Sequence, residues 1–358
     1  MKNTVSELIQ EIRHKYPCEY DLYLEFGGTS FWIKANDGQI VKELAYYFKP
    51  FVKSEQESCE IIITVHQAPV PEFPFEFVAK QPDPGKSRIK EEYVELEDGR
   101  IVRKRLTGMV FLFGNGEHLA IGPCLENLNQ VINFINNRYI EIKLLEGCLL
   151  GHAAAILWKG KGLALAGFAG MGKSTFALHL MSRGAVFVSN DRLLVQEEES
   201  SLKMFGVPKL PRINPGTALN NPNLHSILSE EEKKHFSSLP TEELWKIEQK
   251  YDVFIDKCFG EDRFVLGGPM HALAILNWDF KQEARAHLEV VDLAKRRDLL
   301  QAFMKSPGLF FLPPKGKHID FSEQRYMDVL AKCVVVEVKG KINFDLAVDA
   351  CLEFLENL

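Results

Sequence analysis

The sequence predicts an α/β protein in two domains, a phosphate-loop core preceded by an N-terminal, mainly β domain of α+β character, and three observations predict it. Gly167-Phe168-Ala169-Gly170-Met171-Gly172-Lys173-Ser174 fits the pattern G-x-x-x-x-G-K-[ST]. The apolar run Gly162-Leu163-Ala164-Leu165-Ala166 precedes it with the character of a buried strand, and Phe176, Leu178, Leu180 and Met181 follow it at helical spacing. Residues 1–124, by contrast, read mostly as strands separated by turn signals. The expected boundaries are therefore 1–124 and 125–358, with a charged helical insertion near 220–252.

With 358 residues, 46% of them hydrophobic and 26% charged, the chain has material for a sizeable core in two or three domains. A net charge of −6 argues against a general binder of nucleic acid or of an anionic membrane surface. The seven cysteines are scattered without a C-x-x-C pair, so neither a zinc knuckle nor a disulfide framework is expected, and they read as buried thiols in a reducing compartment. Glu7, Glu11 and Arg13 stand where a signal peptide would be apolar, and no apolar run approaches about 18 residues. A cytoplasmic location without membrane attachment is the expectation.

In the first domain, residues 21–34 alternate around Leu22, Leu24, Phe26, Phe31 and Ile33 with Gly27-Gly28 as the turn, which predicts a hairpin ended by Asp37-Gly38. A helix is expected over 41–51 and a β-branched strand over 61–65. Prolines 69, 71, 74, 82 and 84 then exclude regular helix. Asp98-Gly99 turns a second hairpin and residues 109–121 form a third; the cations Arg100, Arg103, Lys104 and Arg105 read as its solvent face and receive no function. Leu128, Val131, Ile132, Ile135, Tyr139, Ile142 and Leu145 share one helical face, predicting a long helix over 125–150.

The second domain opens with a strand over 151–158 that carries His152, turns at Gly160-Lys161-Gly162 and returns into the glycine loop. Backbone N–H groups of such a loop curl around phosphate oxygens and the helix N-terminus adds positive dipole. On this reading Gly167, Ala169, Gly170, Met171, Gly172, Lys173, Ser174 and Thr175 hold the nucleotide, with the Lys173 ammonium on the terminal phosphates and the Ser174 hydroxyl on Mg²⁺. After the stop signal Arg183-Gly184, the strand 185–189 ends at Asn190-Asp191. A carboxylate there suits a metal ligand or the base that takes a proton from an attacking hydroxyl, so Asp191 is the candidate acid.

His152, the loop 167–174 and Asn190-Asp191 together resemble the kinase core of the HPr kinase/phosphorylase family, most closely the HprK-related kinase B group, over about 147–196. The resemblance implies a phosphoenolpyruvate-carboxykinase-like phosphate-loop fold, ATP and Mg²⁺ as cofactors, and, in the founding members, phosphorylation of a serine on a small carrier protein. It puts Asp191 on the second of two consecutive acids and His152 on an active-site histidine. Asn190 takes the place of the first acid: an amide can coordinate a metal through oxygen but cannot act as a base. The founding members' Glu-x-Arg-Gly-x-Gly stretch is absent, so phosphorolysis is not inferred.

The proline-bounded loop 206–217 bears Lys209 and Arg212, and Arg212 is the first choice for the cation that neutralises a transferring phosphoryl group. Residues 220–252, with the charged runs 229–234 and 241–245, suggest surface helices serving as a lid or partner surface. Arg263 and His271 read as loop charge and core histidine. A helix is expected over 293–305, an apolar segment at 309–312, a strand at 334–338 and a closing helix from 345. The related enzymes assemble into oligomers, which offers the Phe310 segment as an oligomer contact, although core packing is its simpler account. The expected function is an ATP-dependent kinase acting on a serine of a partner protein or on a small molecule. A nucleotide-dependent switch or assembly module without phosphoryl transfer is the alternative, and a carboxykinase lacks its metal-ligand set here.

Overall fold

Contacts between residues divide the chain into two units, Met1–Leu145 with Pro307–His318, and Glu146–Ser306 with Ile319–Leu358. The computed structural model describes residues 4–55, 58–82, 87–168, 170–244, 246–279 and 281–358; Pro84, Ala169 and Trp245 lie outside them. Both units are mixed α/β, with four sheets in all among the described residues.

Unit 1 holds β1 (Tyr20–Phe26), β2 (Thr29–Ala35), β3 (Val52–Lys53), β4 (Ile61–Gln67), β5 (Val78–Ala79), β6 (Glu91–Leu96), β7 (Gly99–Lys104), β8 (Val110–Gly114) and β9 (Glu117–Gly122). They form one sheet in the order β3-β1-β2-β4-β9-β8-β7-β6-β5. The three expected hairpins are present, and β2, β4 and β9 run parallel at its middle. Joining parallel neighbours takes a crossover. Between β2 and β4 it includes α2 (Gly38–Tyr47), whose first turn is capped by Asp37. The first helix, α1 (Val5–Lys15), is tied down by Asp98, whose carboxylate accepts from Val5 N at 2.6 Å and Ser6 Oγ at 2.7 Å. The hairpin cations pair with Glu91, Glu92 and Glu95 on the adjoining strand, but only Arg103 and Arg105 keep to the expected solvent face: Arg100 is largely covered and donates to the Leu309 and Phe311 carbonyls, and Lys104 lies over the Phe310 ring.

The long helix is shorter than its sequence pattern suggested and belongs to this first unit: α3 spans Leu128–Leu145, and the unit boundary follows it rather than residue 124. The reason is aromatic packing, since Phe134 of α3 meets Phe111 and Phe113, and Tyr139 meets Phe26 and Phe31. Residues 307–318 rejoin the same unit for the same reason: Phe310 stacks on Phe113 at 5.6 Å and touches Phe111 and Phe134. The fully buried Arg138 donates to the Phe310 carbonyl and pairs with Glu141 at 3.0 Å. Its guanidinium also lies over the Phe113 ring.

Unit 2 begins with β10 (Leu149–Gly151), β11 (Ala153–Trp158), β12 (Lys161–Gly167), α4 (Lys173–Ser182), β13 (Val186–Ser189), β14 (Leu193–Glu198) and β15 (Ser201–Gly206). It continues through β16 (Arg212–Ile213), α5 (Pro215–Leu219), α6 (Glu230–Ser237), α7 (Thr241–Leu244), β17 (Tyr251–Asp252), α8 (Ile255–Phe259), β18 (Gly268–Pro269), β19 (Ala272–Leu276), β20 (His287–Val290), α9 (Glu323–Leu330), β21 (Val334–Lys339) and α10 (Phe344–Glu356). A six-stranded sheet, β13-β11-β12-β19-β21-β20, has β12, β19 and β21 parallel. A four-stranded sheet runs β10-β14-β15-β18, and β16 pairs with β17 alone.

Strand period dictates the layering. Ala154, Ile156, Leu163, Leu165, Ala272 and Ala274 face a core shared with α4 and α10. Their neighbours Ala153, Ala155, Ala164, Ala166, Leu273 and Ile275 face the second sheet and α9. Small residues dominate where the sheets approach: a Cβ on Gly162 would lie 1.8 Å from the Pro269 carbonyl oxygen. The helix expected over 293–305 is instead a short 3₁₀ segment, Arg297–Ala302. No helix among the described residues is long and apolar enough to cross a membrane.

Candidate active site

The glycine loop joins the C-terminal end of β12 to the N-terminus of α4. Gly170 and Gly172 have φ of 83° and 82°, the left-handed region that favours glycine, and a Cβ on Gly172 would also press to 3.0 Å from the Phe344 ring. Met171 N donates to the Phe168 carbonyl at 3.2 Å, and Trp278 Nε1 donates to the Met171 carbonyl at 3.1 Å, pinning the loop from β19's far end. Lys173 reaches back across it, with Nζ donating to the Gly167 carbonyl at 2.8 Å. The Thr175 and Thr217 hydroxyls lie 3.0 Å apart, tying the first turn of α4 to α5.

His152 interrupts what the sequence suggests is one strand. Gly151 pairs with Leu193 in the four-stranded sheet, whereas Ala153 pairs with Ala166 in the six-stranded one, so His152 sits where the chain crosses between sheets. Its backbone N–H donates to the Phe303 carbonyl at 2.6 Å, and Gly151 has no room for a Cβ against the Phe303 ring. Asp191 occupies a second crossing, between β13 of one sheet and β14 of the other. That turn is braced by Ser189, whose hydroxyl donates to the Arg192 carbonyl at 2.5 Å and accepts from Val207 N at 3.1 Å. The two crossings lie side by side, and His152 Nε2 stands 3.2 Å from Asp191 Oδ1.

Electrostatics bind this pair to the loop. Burial pushes the Asp191 carboxyl up, but the hydrogen bond and charge of His152, with the charges of Lys209 and Lys305, outweigh it and hold the group well below the usual carboxylate range. Burial likewise draws the Lys173 ammonium down, opposed by Asp191 and reinforced by Lys305. Lys209 is drawn down by burial too, again opposed by Asp191. The charges of three lysines therefore act on one carboxylate, and the surplus positive charge suits a phosphate chain.

Arg212, the expected phosphoryl-neutralising cation, is engaged elsewhere. It faces Asp252 across the β16–β17 ribbon, Nε to Oδ1 at 3.3 Å with both side chains half-exposed, and its charge helps to draw Lys209 down. Lys209 and Lys305 act on Asp191. Lys305 had no signal of its own in the sequence; it arrives because Met304 bridges to Gly151 and Phe303 bonds His152. His271 and Arg263 have structural partners, Nδ1 of His271 accepting from Gly162 N at 3.1 Å and Arg263 donating to the Ala185 carbonyl at 2.6 Å.

One polar atom at the site lacks a partner. Asn190 Oδ1 is buried and has no hydrogen-bond partner among the described residues. A buried lone pair left unmatched costs free energy, so a carbonyl oxygen there fits a cation or a donor brought by a ligand. No group of three or more His, Cys, Asp or Glu that could hold a metal occurs among the described residues. A hard divalent ion at Asn190 and Asp191 would thus draw its other oxygens from hydroxyl, water or phosphate, the pattern Mg²⁺ prefers.

No family model matches the chain, and no curated protein sequence matches it. Among solved structures it is similar to the HPr(Ser) kinase/phosphatase from Coxiella burnetii, at 12% identity and a TM-score of 0.31, over 58% of this chain and 91% of that chain.

Proposed function

We propose that this chain is an ATP-dependent phosphotransferase that passes the γ-phosphoryl group to a hydroxyl, on a serine of a partner protein or on a small molecule. The observation that carries the reading is the nearness of the glycine loop to the His152–Asp191 pair, since Ala153 beside His152 pairs with Ala166 at the entry to the loop. Loop amides, with Thr175 at the head of α4, would hold the phosphate chain, and the Lys173 ammonium would leave the Gly167 carbonyl for phosphate oxygens. Ser174, Asn190 and Asp191 would hold Mg²⁺, which when bound supplies neutralisation of phosphate charge. Lys209 and Lys305 would stabilise charge developing on the transferred group.

Asp191 stays ionised beside His152 and would orient the acceptor hydroxyl, accepting its proton at the carboxylate. A carboxylate is a weak base toward a hydroxyl, so the proton would move late, once phosphoryl transfer is under way. That order agrees with a loose transition state, in which the acceptor needs little activation. Asn190, an amide that cannot act as a base, supports a second reading, a nucleotide-driven switch that transfers nothing.

The two readings separate on incubation with γ-labelled ATP and Mg²⁺ in a lysate of the source organism, with Lys173→Ala as control. Label on a protein band or a metabolite, present only with the intact loop, supports the phosphotransferase. Label that remains in ATP or appears only as free phosphate overturns it in favour of the switch.

A further inference from the structure

The core that β11, β12 and β19 share with the second sheet and α9 is apolar but for one hydroxyl among its described buried residues, that of Tyr326. A phenylalanine ring would fill the same space, and a buried hydroxyl gives up its hydration, so its hydrogen bond returns little net stability. What the hydroxyl does is hold two backbone segments: it donates to the Leu150 carbonyl at 2.6 Å and lies 3.4 Å from the Lys305 carbonyl. We propose that Tyr326 is a positioning residue for the transfer reaction. Its hydroxyl keeps residues 303–305 in register against 150–152 and so sets His152 and Lys305 at Asp191; the assignment rests on the phosphotransferase reading.

Three observations carry this. The two segments form a short antiparallel ladder, in which His152 N donates to the Phe303 carbonyl at 2.6 Å and Gly151 bridges to Met304. That register puts Leu150 opposite Lys305, the pair whose carbonyls the Tyr326 hydroxyl joins. The ladder also ends in the site: His152 Nε2 is 3.2 Å from Asp191 Oδ1, and the charge of Lys305 bears on both Asp191 and Lys173. Finally, packing holds the segments together without the hydroxyl. The Phe303 ring leaves no room for a Cβ on Gly151 and meets the Tyr326 ring edge-on at 6.2 Å, while Arg296, at the head of the 3₁₀ segment, pairs with the buried Glu337 carboxylate at 2.7 Å. Aromatic contacts thus set how closely the segments approach, and the directional hydrogen bond sets how far one slides along the other.

The test uses the native chain, Tyr326→Phe, Lys305→Ala and the double variant, with folding confirmed by circular dichroism. Label transfer from γ-labelled ATP in the lysate gives the maximal rate and the KM for ATP. Tyr326→Phe should lower the maximal rate about tenfold with KM within about twofold, and should cost less than about threefold in a chain that already carries Lys305→Ala. Amide hydrogen exchange at His152 should quicken about tenfold in Tyr326→Phe while Ala164 and Leu165 on β12 keep native protection. A native maximal rate in Tyr326→Phe overturns the positioning role, as does a tenfold loss in both backgrounds, which would mark a general loosening of the core. Native exchange at His152 overturns it as well. A native chain that transfers no label overturns the phosphotransferase reading and the catalytic use of the ladder with it, whereas the preceding outcomes overturn the role of Tyr326 alone.

Discussion

His152 Nε2 and Asp191 Oδ1 lie 3.2 Å apart because the chain crosses between the same two sheets at both residues. Neither position is defined by a local motif. Each depends on where one sheet ends and the next begins, so the pair is a property of the layer architecture. Replacing Asp191 by Asn should leave ATP binding within a few-fold of native and remove about 100- to 1000-fold of the transfer rate, the usual scale for a transition-state group. Binding by titration and transfer by label incorporation measure the two separately; native transfer in the variant would remove Asp191 from the mechanism.

The depressed Asp191 pKa sets a pH window. A carboxyl whose folded pKa lies below its ordinary 3.8 contributes stability that is present above that value and lost as pH falls through the folded value. The melting-temperature gap between native protein and Asp191→Asn should therefore shrink as pH falls below about 4. A gap that stays unchanged or widens below pH 4 would place the pKa in the wrong direction.

Lys173→Ala removes the ammonium that now rests on the Gly167 carbonyl. Nucleotide use should disappear, with little change in melting temperature, because the bond it breaks is to a loop carbonyl. Persisting ATP turnover in a folded variant would contradict the role.

The cations around Asp191 should sort by position. Lys209→Ala and Lys305→Ala each withdraw a charge that holds the carboxyl down, so each should raise the Asp191 pKa and slow transfer. Arg212→Ala cuts a half-exposed pair with Asp252, worth about 0–1 kcal/mol, and acts on the site through Lys209, so it should slow transfer less than Lys305→Ala. Carboxyl titration by NMR and initial rates check both statements; a larger loss in Arg212→Ala than in Lys305→Ala would reverse the assignment.

In unit 1, Arg138→Ala leaves Glu141 buried without its cation and the Phe310 carbonyl without its donor. A cost of about 3–5 kcal/mol is expected, with early proteolysis within 307–318. Unchanged protease resistance of that segment would show that its aromatic contacts and its bonds to Arg100 and Glu141 hold it without Arg138.

The sequence by itself determined the elements whose signals are local. Gly170 and Gly172 announce left-handed backbone, the run 162–166 a buried strand, and Asp98-Gly99 a hairpin, because each depends on neighbours a few residues away. Asp191 and His152 were legible as candidates through their residue types and a resemblance, but not their 3.2 Å approach. Tertiary structure alone decided the rest. It drew α3 and residues 307–318 into the first unit, since aromatic rings far apart in the chain find one core there. It turned Arg212 to Asp252 through a two-residue ribbon that no periodicity reveals, and it brought Lys305 to Asp191 through a bridge between Met304 and Gly151. Local pattern reports what a segment can form; charge reaches across space, and only the folded chain fixes which charges share that space.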